Sequence, residues 1–169
     1  VAGRATARFD TGATVGVVGG GQLGRMLAAA ARRTGFEVYV LAPDAQPPAA
    51  AHASRHVRAA YDDVDAVTAF AADVDVLTFE FENVSSAALA AAADVTVVRP
   101  GPDVLHMTQN RGREKEFLAG AGVPIAEYRP VAAADGLERA VVAVGTPCVV
   151  KTAGFGYDGK GQVVLRDHA

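Results

Sequence analysis

Cysteine is nearly absent: Cys148 stands alone in 169 residues. One thiol excludes an internal disulfide framework and any zinc site built on several thiolates. Charge of one sign is lacking too. Sixteen Lys and Arg oppose nineteen Asp and Glu, for a formal net charge of -3 and a pI near 5.8. Such a balance carries no electrostatic footprint for nucleic acid or an anionic membrane, and neither partner is expected. Long apolar runs are missing as well. The stretch Ala87–Ala93 is about two helical turns of mostly alanine, far short of the roughly 18 apolar residues of a membrane helix. Residues 1–13 hold Arg4 and Arg8 but no apolar stretch of signal-peptide length, and read as a leader or cloning remnant. A soluble, cytoplasmic protein is expected. His52, His56, His106 and His168 show no mutual ligand spacing, and no metal site is expected in this chain.

Half of the residues are apolar, enough to build a core. Thr14–Val18 is a β-branched run that breaks into Gly19-Gly20-Gly21. From Gln22 to Arg33 the apolar residues Leu23, Leu27, Ala30 and Ala31 recur at helical spacing, and Gly35 ends the pattern. Strands are expected at 37–41, near 56–58, at 74–79 and at 95–99, with helices at 62–72 and 85–93 between them. Alternation of this kind predicts an α/β domain over 14–100: a parallel sheet with helices on both faces, Rossmann-like. After Pro100-Gly101-Pro102 the pattern changes. Short helices at 103–109 and 112–121, an extended piece at 128–131 and a helix at 135–144 precede two strands, 148–151 and 163–166. Two strands and one helix make no independent core, so the region 101–169 reads as the beginning of a second domain.

Three stretches carry chemistry. Gly19-Gly20-Gly21-Gln22-Leu23-Gly24 has the G-x-G-x-x-G form between a strand and a helix, where backbone N–H groups meet an anion. Asp44 lies 20 residues beyond Gly24, near the spacing of an acid that holds an NAD ribose. It follows Pro43, however, and the strand itself ends on Ala42. The loop is therefore expected to take an anionic ligand more readily than a nicotinamide cofactor, or else to serve tight strand–helix packing alone. Glu80-Phe81-Glu82-Asn83 follows the fourth strand, at the end where parallel sheets bind ligands. Strand alternation would aim Glu80 and Glu82 the same way. Glu80 is the better candidate for a ligand, and Asn83 for the cap of the next helix. Third, Lys151 leads into Thr152–Gln162, eleven residues with four glycines. A two-residue turn reverses a chain at lower entropic cost. This loop, with Lys160, suits closure over a polyphosphate, a mobile surface hairpin being the plainer reading. Arg111 and Lys115, at i and i+4, share a helical face and either reach a phosphate or stay solvated. Cys148, in an apolar strand, reads as core.

The runs Val15-Gly-Val-Val-Gly-Gly-Gly-Gln-Leu-Gly-Arg-Met-Leu27, Phe79-Glu-Phe-Glu-Asn-Val84, Gln109-Asn-Arg111, Glu114-Lys-Glu-Phe-Leu118, Val150-Lys-Thr152 and Gly156-Tyr-Asp-Gly-Lys-Gly-Gln162 resemble the 5-(carboxyamino)imidazole ribonucleotide synthase (PurK) family of ATP-grasp ligases. The likeness runs from about Thr14 to the last residue. It implies a Rossmann-like pre-ATP-grasp domain followed by the start of an ATP-grasp domain. It also implies ATP-dependent carboxylation of 5-aminoimidazole ribonucleotide by bicarbonate, through carboxyphosphate, in a homodimer. Carried over by motif, Arg111, Lys151 and the run Gly156, Tyr157, Asp158, Gly159, Lys160, Gly161 and Gln162 contact ATP. Gln22, Leu23 and Glu80 line the ribonucleotide side, joined by Tyr157, Asp158 and Lys160. Mg²⁺ is implied, with its acidic ligands in the part of the family's chain that lies beyond this one. Two departures stand out: Ala42 replaces an acid at the end of the second strand, and Thr152–Phe155 replaces a segment that is often basic. The alternatives are another ATP-grasp ligase, a nucleotide-binding module without catalysis and, third, a dehydrogenase.

Overall fold

In a computed structural model, residues 7–156 and 159–167 are described, and the chain divides into two compact units, one through His106 and one from Met107. The first unit holds five strands: β1 (Thr14–Val18), β2 (Glu37–Leu41), β3 (Arg55–Val57), β4 (Val76–Phe79) and β5 (Val97–Val98). They run parallel in the order β3-β2-β1-β4-β5, as the alternation predicts. The chain moves outward from β1 to β3, then crosses back to place β4 on the other side of β1. That reversal separates the connections leaving β1 and β4, and such a switch point is where open α/β sheets bind ligands.

Side chains alternate across the pleat, so the buried residues fall into two layers. Val17, Val38, Val40 and Ala42 pack with Ala28 of α1 (Gln22–Arg33) and with Ala49, which sits in a single 3₁₀ turn, Pro48–His52. On the other face, Val18, Leu41 and Leu77 meet Val67, Phe70 and Ala71 of α2 (Val64–Ala72) and Ala88, Leu89 and Ala92 of α3 (Ser86–Val95). Leu105 of α4 (Pro102–Thr108) is buried in that same layer. The residues before β1 also join this unit: Gly12 N–H donates to the Gly35 carbonyl at 2.7 Å, and Arg99 lies over the Phe9 ring.

Two expectations need correction here. Leu23, placed by its spacing on the buried face of α1, is 63% exposed, because Gly24 and Ala28 turn that face to the sheet. Asn83 does not cap α3. Ser85 does, its hydroxyl accepting from Ala88 N–H at 3.1 Å.

The second unit holds α5 (Arg111–Gly120), a 3₁₀ turn (Ala134–Gly136), α6 (Leu137–Val144) and the antiparallel pair β6 (Cys148–Lys151) and β7 (Gln162–Leu165). The expected extended piece at 128–131 pairs with no described strand. None of the described residues beyond Leu105 is buried, and Val142, Val163 and Phe117 are 67%, 60% and 57% exposed. Cys148 is accordingly only half-buried rather than core.

Candidate functional site

The glycine loop closes on a side chain that is distant in sequence. Glu80 follows β4, and its carboxylate sits at the N-terminus of α1. Oε1 accepts from Gly21 N–H at 2.7 Å and Oε2 from Gly24 N–H at 2.6 Å. No side-chain cap comes from Gly21, so Glu80 satisfies N–H groups that the helix leaves open. Glu80 thus places a carboxylate of the chain itself at this loop. Both bonds are charge-assisted and lie at the positive end of the helix dipole. Gly19 shows why a side chain cannot intrude: its φ is +131°, and a Cβ there would lie 2.1 Å from Glu80 Cγ. Strand alternation does not extend to Glu80 and Glu82. The strand stops at Phe79, before these residues, and Glu82 is exposed.

Tyr61 belongs to this place too, although nothing in its sequence surroundings marks it. Its ring meets Phe81 edge-on, with centroids 5.3 Å apart and planes at 72°. Burial pushes the Tyr61 phenol above its ordinary pKa; a hydrogen bond from Gly20 N–H pulls it down, while the charges of Asp44 and Glu80 add to the upward push. Asp44 is exposed beyond β2, whereas Ala42 at the strand end is buried. The Ala42 carbonyl lies 3.3 Å from His56 Nε2, and the Pro43 carbonyl accepts from Arg58 Nε at 3.0 Å. His56 therefore has a structural partner. Gln22 and Leu23 are exposed on the first turn of α1.

In the second unit, Asn110 caps α5 by accepting from Gly112 and Arg113 N–H groups at 2.9 and 3.2 Å. Arg111 N–H donates to the Ala153 carbonyl at 2.7 Å, which ties the helix start to the glycine-rich loop. Its guanidinium pairs with Glu114 at 2.8 Å. Lys115 does not extend beside it: its Nζ reaches the Ala126 carbonyl at 3.2 Å and lies 5.0 Å from the Tyr128 ring centroid. The loop closes where Thr152 N–H donates to the Gly161 carbonyl at 2.8 Å. Gly161 has φ +71°, and a Cβ would come 2.5 Å from Thr152 Oγ1. Lys151, Gly159, Lys160, Gly161 and Gln162 are exposed on or beside this loop, as is Gly156. Phe155 adopts φ 59° and is 84% exposed. Tyr157 and Asp158 lie outside the described residues. Exposed backbone around two lysines is a donor set that fits a polyphosphate. Among the described residues, no three His, Cys, Asp or Glu side chains gather into a metal site.

Comparison with known proteins completes the description. The family described as the ribonucleotide synthetase preATP-grasp domain matches residues 12–109, which span the parallel sheet and both sides of its switch point. The chain belongs to this family. The ATP-grasp domain family matches residues 116–169. Beyond these two matches, the chain is similar to the N5-carboxyaminoimidazole ribonucleotide synthase of Brucella melitensis, 47% identical over 91% of this chain and 42% of that protein. It is also similar to a solved ADP complex of a PurK, N5-carboxyaminoimidazole ribonucleotide synthetase. The TM-score is 0.90 at 42% identity, over 96% of this chain and 43% of the other. The Aspergillus clavatus synthase, solved with ADP and 5-aminoimidazole ribonucleotide, gives a TM-score of 0.83 at 31% identity, over 93% and 41%. This member of the preATP-grasp family thus spans somewhat less than half the length of its relatives.

Proposed function

We propose that this chain is the N-terminal part of an ATP-dependent ligase that carboxylates 5-aminoimidazole ribonucleotide with bicarbonate. The single observation that carries the reading is the pairing of the two loops in one chain. A glycine loop closed on Glu80 is followed by a lysine-flanked glycine hairpin, in a sequence 42% identical to a synthetase solved with ADP. In this reading a bicarbonate oxygen attacks the terminal phosphorus of ATP and ADP leaves. The amine of the ribonucleotide then attacks the carboxyl carbon of carboxyphosphate, and inorganic phosphate leaves. Carboxyphosphate hydrolyses readily, so a closing loop that excludes water serves the chemistry.

Arg111, Lys151 and the run Gly156, Gly159, Lys160, Gly161 and Gln162 are assigned to ATP, with Lys151 and Lys160 as phosphate-facing cations. Gln22, Leu23 and Glu80 are assigned to the ribonucleotide, Glu80 by setting the shape of the loop. Tyr157, Asp158 and Lys160 keep their proposed place on both ligands. Mg²⁺ would neutralise the phosphates, through ligands other than the residues described. The resemblance alone supports a homodimer and a cytoplasmic location.

The test is ADP release by the protein of the complete reading frame, with ATP, Mg²⁺ and bicarbonate, with and without 5-aminoimidazole ribonucleotide. Strong stimulation by the ribonucleotide is expected, reduced in Lys151→Ala by at least about tenfold. A folded protein that binds ATP and is not stimulated would point to another ATP-grasp acceptor.

A further inference from the structure

A helix that opens after a glycine loop is suited to hold phosphate, because its first N–H groups lack partners and its dipole favours negative charge. Here that place is filled from within. Gly21 and Gly24 N–H groups donate to the two oxygens of Glu80 at 2.7 and 2.6 Å. The β2 side of the loop is filled as well. A Cβ on Gly20 would lie 2.5 Å from Pro47 Cβ and 2.6 Å from Ala42 Cβ, and both of those residues are buried. An incoming pyrophosphate would therefore find the Gly21 and Gly24 donors occupied and a carboxylate where its own charge would have to sit. The strand end that offers an acid to a dinucleotide's ribose offers Ala42 instead.

We infer that Glu80 is a specificity-determining residue: a resident anion that bars phosphate and dinucleotide groups from the glycine loop. The inference goes beyond the ligase reading and stands without it, since it concerns what the loop refuses.

The experiment is a titration of the 169-residue chain with inorganic pyrophosphate, following the backbone amide resonances of Gly21 and Gly24. Phosphate binding at the hairpin of the second unit moves other resonances, so the two places are read separately. In the wild-type chain the Gly21 and Gly24 signals should stay in place through the millimolar range. In Glu80→Ala they should move saturably, with an apparent affinity at least about tenfold tighter. Glu80→Ser vacates the same space and gives the same reading should the alanine variant not fold. Movement of these signals in the wild-type chain would overturn the inference, as would a folded variant whose signals do not respond.

Discussion

At the residue scale, Glu80 and Tyr61 decide what the glycine loop is. Residues 80 and 21 are 59 positions apart, and no local pattern joins them. Both glycine spacing and an acid after β4 were legible in the sequence; that the second fills the first was not, because the contact is made by the fold. Tyr61 escaped notice for the same reason: an isolated tyrosine before a helix gains its role only when Phe81 and Gly20 arrive beside it. It also yields a pH dependence. The folded chain holds the phenolic proton more tightly than the unfolded chain, whose phenol keeps the ordinary value of 10.0. That contribution to stability is complete below the ordinary value and is lost as pH rises through the higher, folded-state value. Urea midpoints measured from about pH 8 to about pH 11 should fall in the wild-type chain, and fall less steeply in Tyr61→Phe. Equal slopes would remove Tyr61 from this account.

At the element scale, β-branched runs and helical spacing located most strands and helices, since these are written in adjacent residues. Thr14–Val18, Gln22–Arg33 and Glu37–Leu41 are found where the sequence predicts them. Ends were harder. Asn83 and Ser85 are both good capping residues, and only the position of the first helical turn selects Ser85. The choice has a consequence that can be measured. Ser85→Ala should destabilise the first unit by about 1 kcal/mol, and Asn83→Ala by less than about half of that, in urea denaturation. A larger loss for Asn83→Ala would contradict the observed cap. The extended piece at 128–131 pairs with no described strand. Tyr128 there serves as a platform for Lys115.

At the scale of the whole molecule, the two units differ in kind. The first buries apolar side chains on both faces of its sheet. The second leaves Val149, Val163 and Val164 of its hairpin 48%, 60% and 53% exposed. The change of pattern after Pro100 was visible in the sequence, and so was the shortage of strands for a second core. The lysine-flanked loop was visible too, because four glycines in eleven residues are unusual between paired strands. Which ligand such a loop takes is not written in glycine spacing; ADP enters through the solved relatives. The most direct test of the central claim is therefore chemical. The protein of the complete reading frame should be given ¹³C-bicarbonate, ATP, Mg²⁺ and 5-aminoimidazole ribonucleotide, and the mixture followed by ¹³C resonance. The account predicts an ATP-dependent carbamate signal on the ribonucleotide amine, formed with matching release of ADP. ADP release without label in the ribonucleotide would contradict it.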